Sequence, residues 1–288
     1  MTSSQFLEEV KNSNICPDNF EVVYDEFRSF QCDALDTLKE VHRVCELNKI
    51  TYELAYGSLL GLVRDGGQIP WDYDVDIIVP FEERKKLVEA LNKDLNDQFY
   101  YYSPDNNPKC RHMIMRIAPK EYRTEVLHVD VFFLVGTPED SADRKKFANK
   151  LHQISKMRFG KLVNIKEESL GKPGRYLKLL LRRKVPSLFW SLKYIEREYK
   201  RLCGLYSSYD ASFCVTADTF ASNREIPTNL LWETKLVRCS YGEVRIPIHY
   251  KELLNLIYGD YQNIPPLSSR INEVLFHYER IKKFQQFL

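Results

Sequence analysis

The sequence predicts an α+β fold: a mixed sheet with flanking helices, followed by a helical, basic C-terminal half. Three observations carry this. Short apolar runs such as Val75–Val79 read as strands, while longer stretches repeat apolar residues at three and four positions, as helices do. The order in the first half is strand, Gly-Ser turn, helix, acidic strand, helix and further strands, which implies helices packed on a mixed sheet. From about Ser141 onward the chain reads as helical, and ten Lys/Arg stand against two Glu between Lys172 and Arg201.

Each element has its own signal. Residues of about 23–48 form a helix with an apolar stripe of Phe27, Phe30, Leu38, Val41 and Cys45. "TYELAY" is a short strand, and Gly57-Ser58 turns into a helix over 59–64. Gly66-Gly67 and Pro70 break the chain. The strand Val75–Val79 follows, then a helix from about Glu82 to Asn96. "CRHMIMRI" and "VLHVDVFFLV" read as strands, and alternation sets Asp130 on one face with His128 and Phe132. Pro186 starts a helix whose stripe is Leu188, Leu192, Ile195, Tyr199 and Leu202. "KLVRCSYGEVRIP" is a hairpin around Tyr241-Gly242, and "YKELLNLIYGDYQNIPP" is a short helix ending at Gly259. There is no internal repeat. The expected organisation is an N-terminal helical segment (1–50), a catalytic core (51–140), and a helical C-terminal region with a hairpin packed on the core (141–288).

Composition bounds the function. A chain of 288 residues with 44% hydrophobic content builds a substantial core, and 18 Tyr with 16 Phe suit an aromatic interior or cleft. A net charge of +2 argues against a non-specific nucleic-acid binder. The seven cysteines include no CxxC pair, so neither a zinc ribbon nor a redox motif is supported. Scattered free thiols fit a reducing cytosol. The N-terminal "MTSSQFLEEVKNSN" is polar and acidic, unlike a signal peptide, and no run approaches the ~20 apolar residues of a membrane span. The expectation is a cytoplasmic protein.

The chemistry concentrates in "GSLLGLVRDGGQIPWDYDVDIIVP", where Asp72, Asp74 and Asp76 stand at alternate positions. An acidic cluster is ordinarily a solvated turn. Here the residues after Tyr73 read as strand, and Asp is poorly suited to strands. Asp74 and Asp76 share one face, about 6.5 Å apart at ~3.3 Å per residue. Adjacent carboxylates repel and raise each other's pKa unless a cation lies between them. Asp130 sits in another apolar strand, where an isolated carboxylate is costly. It is either a further metal ligand beside Asp74 and Asp76 or a hydrogen-bonded structural residue. Gly57-Ser58 at a helix start offers N–H groups and a hydroxyl to a phosphate. Together these parts suit phosphoryl transfer assisted by two metal ions.

"YGSLLGLVRDGGQIPWDYDVDI" resembles the signature of the LicD family, which includes the fukutin-related transferases. "HVDVFFLVGTP" and "VRIPIHYKELLNLIYGDYQNIPP" are further matches, in family order, from about residue 40 to 270. The resemblance implies a nucleotidyltransferase fold and a LicD-like phosphotransferase. It implies transfer of phosphocholine or a polyol phosphate from a CDP-linked donor, CDP-choline or a CDP-polyol, to a cell-surface or lipid-linked glycan. Carried over by motif, Gly57 and Ser58 hold donor phosphates, and Asp74, Asp76 and Asp130 are catalytic and bind Mg²⁺ or Mn²⁺, as two ions. Arg64 meets a phosphate, and Trp71 and Asp72 shape the cleft. Two departures leave that metal site intact: Asp65 stands where a basic residue is common, and "LSSRINEV" follows "NIPP" without the usual histidine. The alternative is an NTP-dependent nucleotidyltransferase that adenylylates a small molecule, protein or RNA.

The basic stretch Lys172–Arg201 has two readings. One is an amphipathic helix with a solvated basic face. The other is peripheral contact with an anionic membrane at the inner face of the cell membrane, through Lys/Arg and interfacial aromatics.

Overall fold

A computed structural model describes residues 1–124, 126–169, 172–218 and 224–285. Helix α1 (Ser3–Lys11) leads into the long α2 (Phe20–Leu47). The expected stripe of α2 is its buried face: Phe27, Phe30, Leu38, Val41 and Cys45 are all in the core. Strand β1 (Glu53–Leu54) is shorter than "TYELAY", because α3 (Tyr56–Asp65) starts within that stretch. Then come β2 (Val75–Pro80), a short 3₁₀ turn, α4 (Arg84–Asp94), β3 (Phe99–Tyr102), β4 (Met115–Pro119) and β5 (Val129–Gly136). Only the end of "CRHMIMRI" is strand. Its start is a lead-in held by Asp218, whose carboxylate accepts from the Met113 and Ile114 N–H groups at 2.7 and 3.1 Å.

The sheet is mixed, as expected. Its path runs β1-β2-β5-β4-β3, with β2 and β5 parallel and the other pairs antiparallel. Strand β5 is central, and all eight of its residues are buried. A β2–β5 pair buried on both faces explains why Val, Ile and Phe fill it, and why its two aspartates stand out.

The second half is helical but not wholly so. Helix α5 (Ser141–Leu162) is followed by α6 (Ile165–Glu168), α7 (Pro173–Leu179), a wider π-type turn (Leu180–Lys184), α8 (Val185–Ser187) and α9 (Leu192–Cys203). The single helix expected after Pro186 is therefore two. The break comes at Ser191, whose hydroxyl caps α9 by accepting from the Tyr194 N–H at 3.1 Å. Ile195, Tyr199 and Leu202 are buried as expected, but Leu188 lies before the break and is exposed.

Strands β6 (Phe213–Thr216) and β7 (Ile226–Pro227) return to the main sheet, with β6 antiparallel to the end of β5. Strands β8 (Thr234–Cys239) and β9 (Gly242–Pro247) form the expected hairpin. Gly242 at its turn has φ +90°, a conformation that favours glycine. Helix α10 (Tyr250–Tyr258) ends at Gly259, and α11 (Leu267–Gln285) closes the described chain. Among the described residues no helix is long and apolar enough to cross a membrane.

Candidate active site

The site forms where the N-terminal ends of β2 and β5 meet the first turn of α3. The parallel register sets Asp76 opposite Asp130. The backbone of Asp76 is pinned on both sides by α3. Its carbonyl accepts from the Ala55 N–H at 3.0 Å, and its own N–H donates to the Ser58 hydroxyl at 2.8 Å. Ser58 thus works as a clamp on the acidic strand. The loop before β2 is held by α2: Gln31 donates to the Ile69 carbonyl at 3.1 Å and to that of Asp72, and the Tyr24 hydroxyl donates to the Pro70 carbonyl at 3.0 Å.

Gly57 has a steric reason to be glycine. A Cβ there would lie 2.6 Å from Asp72 Oδ2. The Asp72 carboxylate therefore closes on the start of α3. Tyr56, just before it, has φ +45°. Such backbone costs about 1–3 kcal/mol in a residue with a side chain and recurs at functional sites. The Tyr56 ring meets Phe132 edge-on at 5.4 Å, within the cleft.

The carboxylates converge. Asp74, His128 and Asp130 each offer one ligand atom within 4.8 Å of the others. Burial, then the Asp74 and Asp130 carboxylates, push Asp76 well above the usual carboxylate range. Burial and then Asp74 do the same to Asp72. Asp130 behaves oppositely. Burial works against its charge, but Arg116 and then His128 outweigh it and hold its carboxyl below its ordinary value. Arg116 Nε donates to Asp130 at 2.8 Å, and His128 Nε2 lies 3.3 Å from the other carboxylate oxygen.

These residues fit a hard divalent cation. The donor set is mostly carboxylate oxygen, which such ions prefer. Burial and the neighbouring carboxylates raise the carboxyls of Asp72 and Asp76 beside it, and the buried His128 Nδ1 has no hydrogen-bond partner.

The cluster opens into a cavity of about 580 Å³. Five arginines line it: Arg111, Arg116, Arg175, Arg224 and Arg280. Acidic floor and basic walls together suit a phosphate anion bound beside a cation. Asp74, Asp76 and Asp130 line this cavity, while Gly57 and Ser58 on α3 and Asp72 in the loop before β2 lie behind it. Arg64 and Trp71 lie away from the lining. Arg64 pairs with Asp65 at 2.8 Å and sits 5.6 Å over the Trp71 ring, while Arg270 covers that ring at 5.2 Å.

Sequence reasoning did not single out His128 or the arginines. His128 had a signal, since it alternates with Asp130 and Phe132. Arg116 had none, because it meets Asp130 only through the β4–β5 register.

A mixed sheet with aspartates gathered at a basic, aromatic cleft suits the handling of a phosphate beside a cation. Residues 49–162 match the family model described as LicD/FKTN/FKRP, nucleotidyltransferase domain. The chain is also 23% identical over 253 residues to "Lipopolysaccharide cholinephosphotransferase LicD" of Haemophilus influenzae (strain ATCC 51907 / DSM 11121 / KW20 / Rd), covering 83% of this chain and 92% of that protein. Over residues 49–162 the chain is thus similar to the LicD-type nucleotidyltransferase domain, and over most of its length to a LicD cholinephosphotransferase.

Proposed function

We propose that the protein transfers a phospho-alcohol, phosphocholine or a polyol phosphate, from a CDP-linked donor to a hydroxyl of a cell-surface or lipid-linked glycan. The observation that carries this reading is the cluster of Asp74, His128 and Asp130, with Asp76 opposite Asp130 in the β2–β5 register, under a wall of arginines. The cholinephosphotransferase name of the Haemophilus relative supports phosphocholine as the transferred group.

Asp74, Asp76 and Asp130 hold Mg²⁺ or Mn²⁺, as two ions. Bound there, the cations supply positive charge to the phosphate undergoing transfer. Arg111, Arg175, Arg224 and Arg280 bind and orient the donor's diphosphate. The first turn of α3, at Gly57 and Ser58, flanks it and keeps Asp76 in place. Arg64 and Trp71 brace the loop that presents Asp72. Asp130, kept ionised by Arg116, accepts the proton of the attacking hydroxyl. The acceptor is met at the inner face of the cell membrane, where the protein works from the cytoplasm as a peripheral partner.

The test is to incubate the protein and Mg²⁺ with a panel of CDP-alcohols and NTPs and separate the products. CMP from a CDP-alcohol supports the reading. Pyrophosphate from an NTP, without CMP, replaces it with nucleotidyl transfer.

A further inference from the structure

We propose that the arm formed by α7, the π-type turn and α8, through Trp190, docks the protein on an anionic lipid surface, its basic groove taking headgroup phosphates beside the active site. This rests on the lipid-linked acceptor of the preceding section and locates the contact.

Two features of the arm coincide. The first is a groove of about 640 Å³ lined by Lys156, Arg175, Lys178, Leu179, Arg182 and Arg183, with no acidic residue among the described lining. Like charges crowd there: burial and then Arg183 lower the pKa of Lys156, and burial, Lys156 and Arg183 lower that of His152. Arg175 lines both this groove and the catalytic cavity, so the two adjoin. Glu168, at the edge of the catalytic cavity, pairs with Arg175 at 3.2 Å and Arg111 at 3.1 Å.

The second feature is an apolar ridge. Leu177, Leu181 and Val185 recur every fourth residue and are followed by Leu188 and Phe189; all five are exposed, Phe189 at 84%. Trp190 stacks on Tyr194 at 5.0 Å at the end of the ridge. A soluble polyanion satisfies the groove but leaves the ridge in water. An anionic bilayer satisfies both, with apolar side chains at the acyl boundary and Lys/Arg on headgroups.

The arm is seated firmly enough to act as a platform. A Cβ at Gly160 would collide with the Arg183 carbonyl, so the backbone of the arm lies directly on α5. Lys161 donates to the Leu188 carbonyl at 3.3 Å, and Lys184 to the Lys161 carbonyl at 2.7 Å.

The test is co-sedimentation of the full chain, in EDTA and without donor, with phosphatidylcholine vesicles with or without phosphatidylglycerol. Binding is expected only with phosphatidylglycerol, and is expected to weaken as salt shortens the screening length from ~10 Å at 0.1 M to ~3 Å at 1 M. K178E/R182E/R183E should lower vesicle partitioning by roughly 10- to 100-fold, from a contribution of up to about fivefold per cation. L177S/L181S/F189S should lower vesicle binding while leaving binding of soluble inorganic polyphosphate unchanged. Unfolding temperatures check that both variants fold. Equal partitioning to the two vesicle types, or undiminished vesicle binding by either folded variant, overturns the proposal. Polyphosphate binding without vesicle binding overturns it too, in favour of a soluble anion. Vesicle binding is measured apart from the CDP-alcohol assay, so vesicle binding together with no CMP in that assay counts against the transferase reading alone. CMP formation without vesicle binding counts against the docking arm alone.

Discussion

Replacing Arg116 with Met removes the cation that keeps Asp130 ionised. The two side chains are 10% and 9% exposed and meet at 2.8 Å. Breaking a buried pair by removing one partner costs about 3–5 kcal/mol. Asp130 faces a cavity that admits water, so the lower end applies, ~3 kcal/mol. At about 2–4 °C per kcal/mol this lowers the unfolding temperature by roughly 6–12 °C. The assay is thermal unfolding of wild type, R116M, D130N and the double variant, in EDTA so that no cation replaces the guanidinium. D130N removes the charge that R116M strands, so the double variant should recover most of the loss. The pH dependence has a definite sign. Asp130's folded value lies below its ordinary 3.8. Its stabilising contribution is therefore full above that ordinary value and is lost as pH falls through the folded one. Without Arg116 the folded value rises, so the deficit of R116M is largest near neutrality and narrows on acidification. A coupling energy under ~0.5 kcal/mol in the double-mutant cycle would refute the reasoning.

Two further substitutions probe the first turn of α3. Gly57→Ala sets a methyl 2.6 Å from Asp72 Oδ2 and should cost about 1–3 kcal/mol with at least a ~10-fold loss of activity. Adding Asp72→Ala should restore the unfolding temperature, and no restoration would mean that the clash is not with Asp72. Ser58→Ala removes the acceptor of the Asp76 N–H and should cost about 1–3 kcal/mol, read by urea unfolding. An unchanged midpoint would show that the N–H finds another partner.

Much of the fold was legible because its signals are local. The stripe of α2, the Tyr241-Gly242 turn and Gly259 each read correctly from a few neighbouring residues. So did the acidic strand, since Asp74 and Asp76 stand out in a run of Val and Ile. What failed to show depends on topology. Arg111, Arg116, Arg175, Arg224 and Arg280 come from separate stretches and meet only because β4 pairs with β5 and the later segments fold back over the cleft. Strands β6 and β7 are too short to give a periodic signal, and they gain strand character from pairing with β5 and with each other. The break before α9 was missed because the Leu and Ile spacing runs through it, while Ser191 acts as a cap only once the chain has turned. Glu53 gave no signal either. Inside β1, burial pushes its carboxyl well above the usual range.

The central claim is that the aspartates of β2 and β5 hold the cations that make phospho-alcohol transfer possible. The most direct measurement is CMP release from CDP-choline or another accepted CDP-alcohol as EDTA is titrated against Mg²⁺, for wild type, D74N and D76N. The account predicts that CMP release by the wild type stops in EDTA and returns with Mg²⁺. It predicts a fall of at least ~10²-fold in either variant, the scale expected on losing one charge-stabilising group. Undiminished CMP release in EDTA, or near-wild-type rates in both variants, would contradict it.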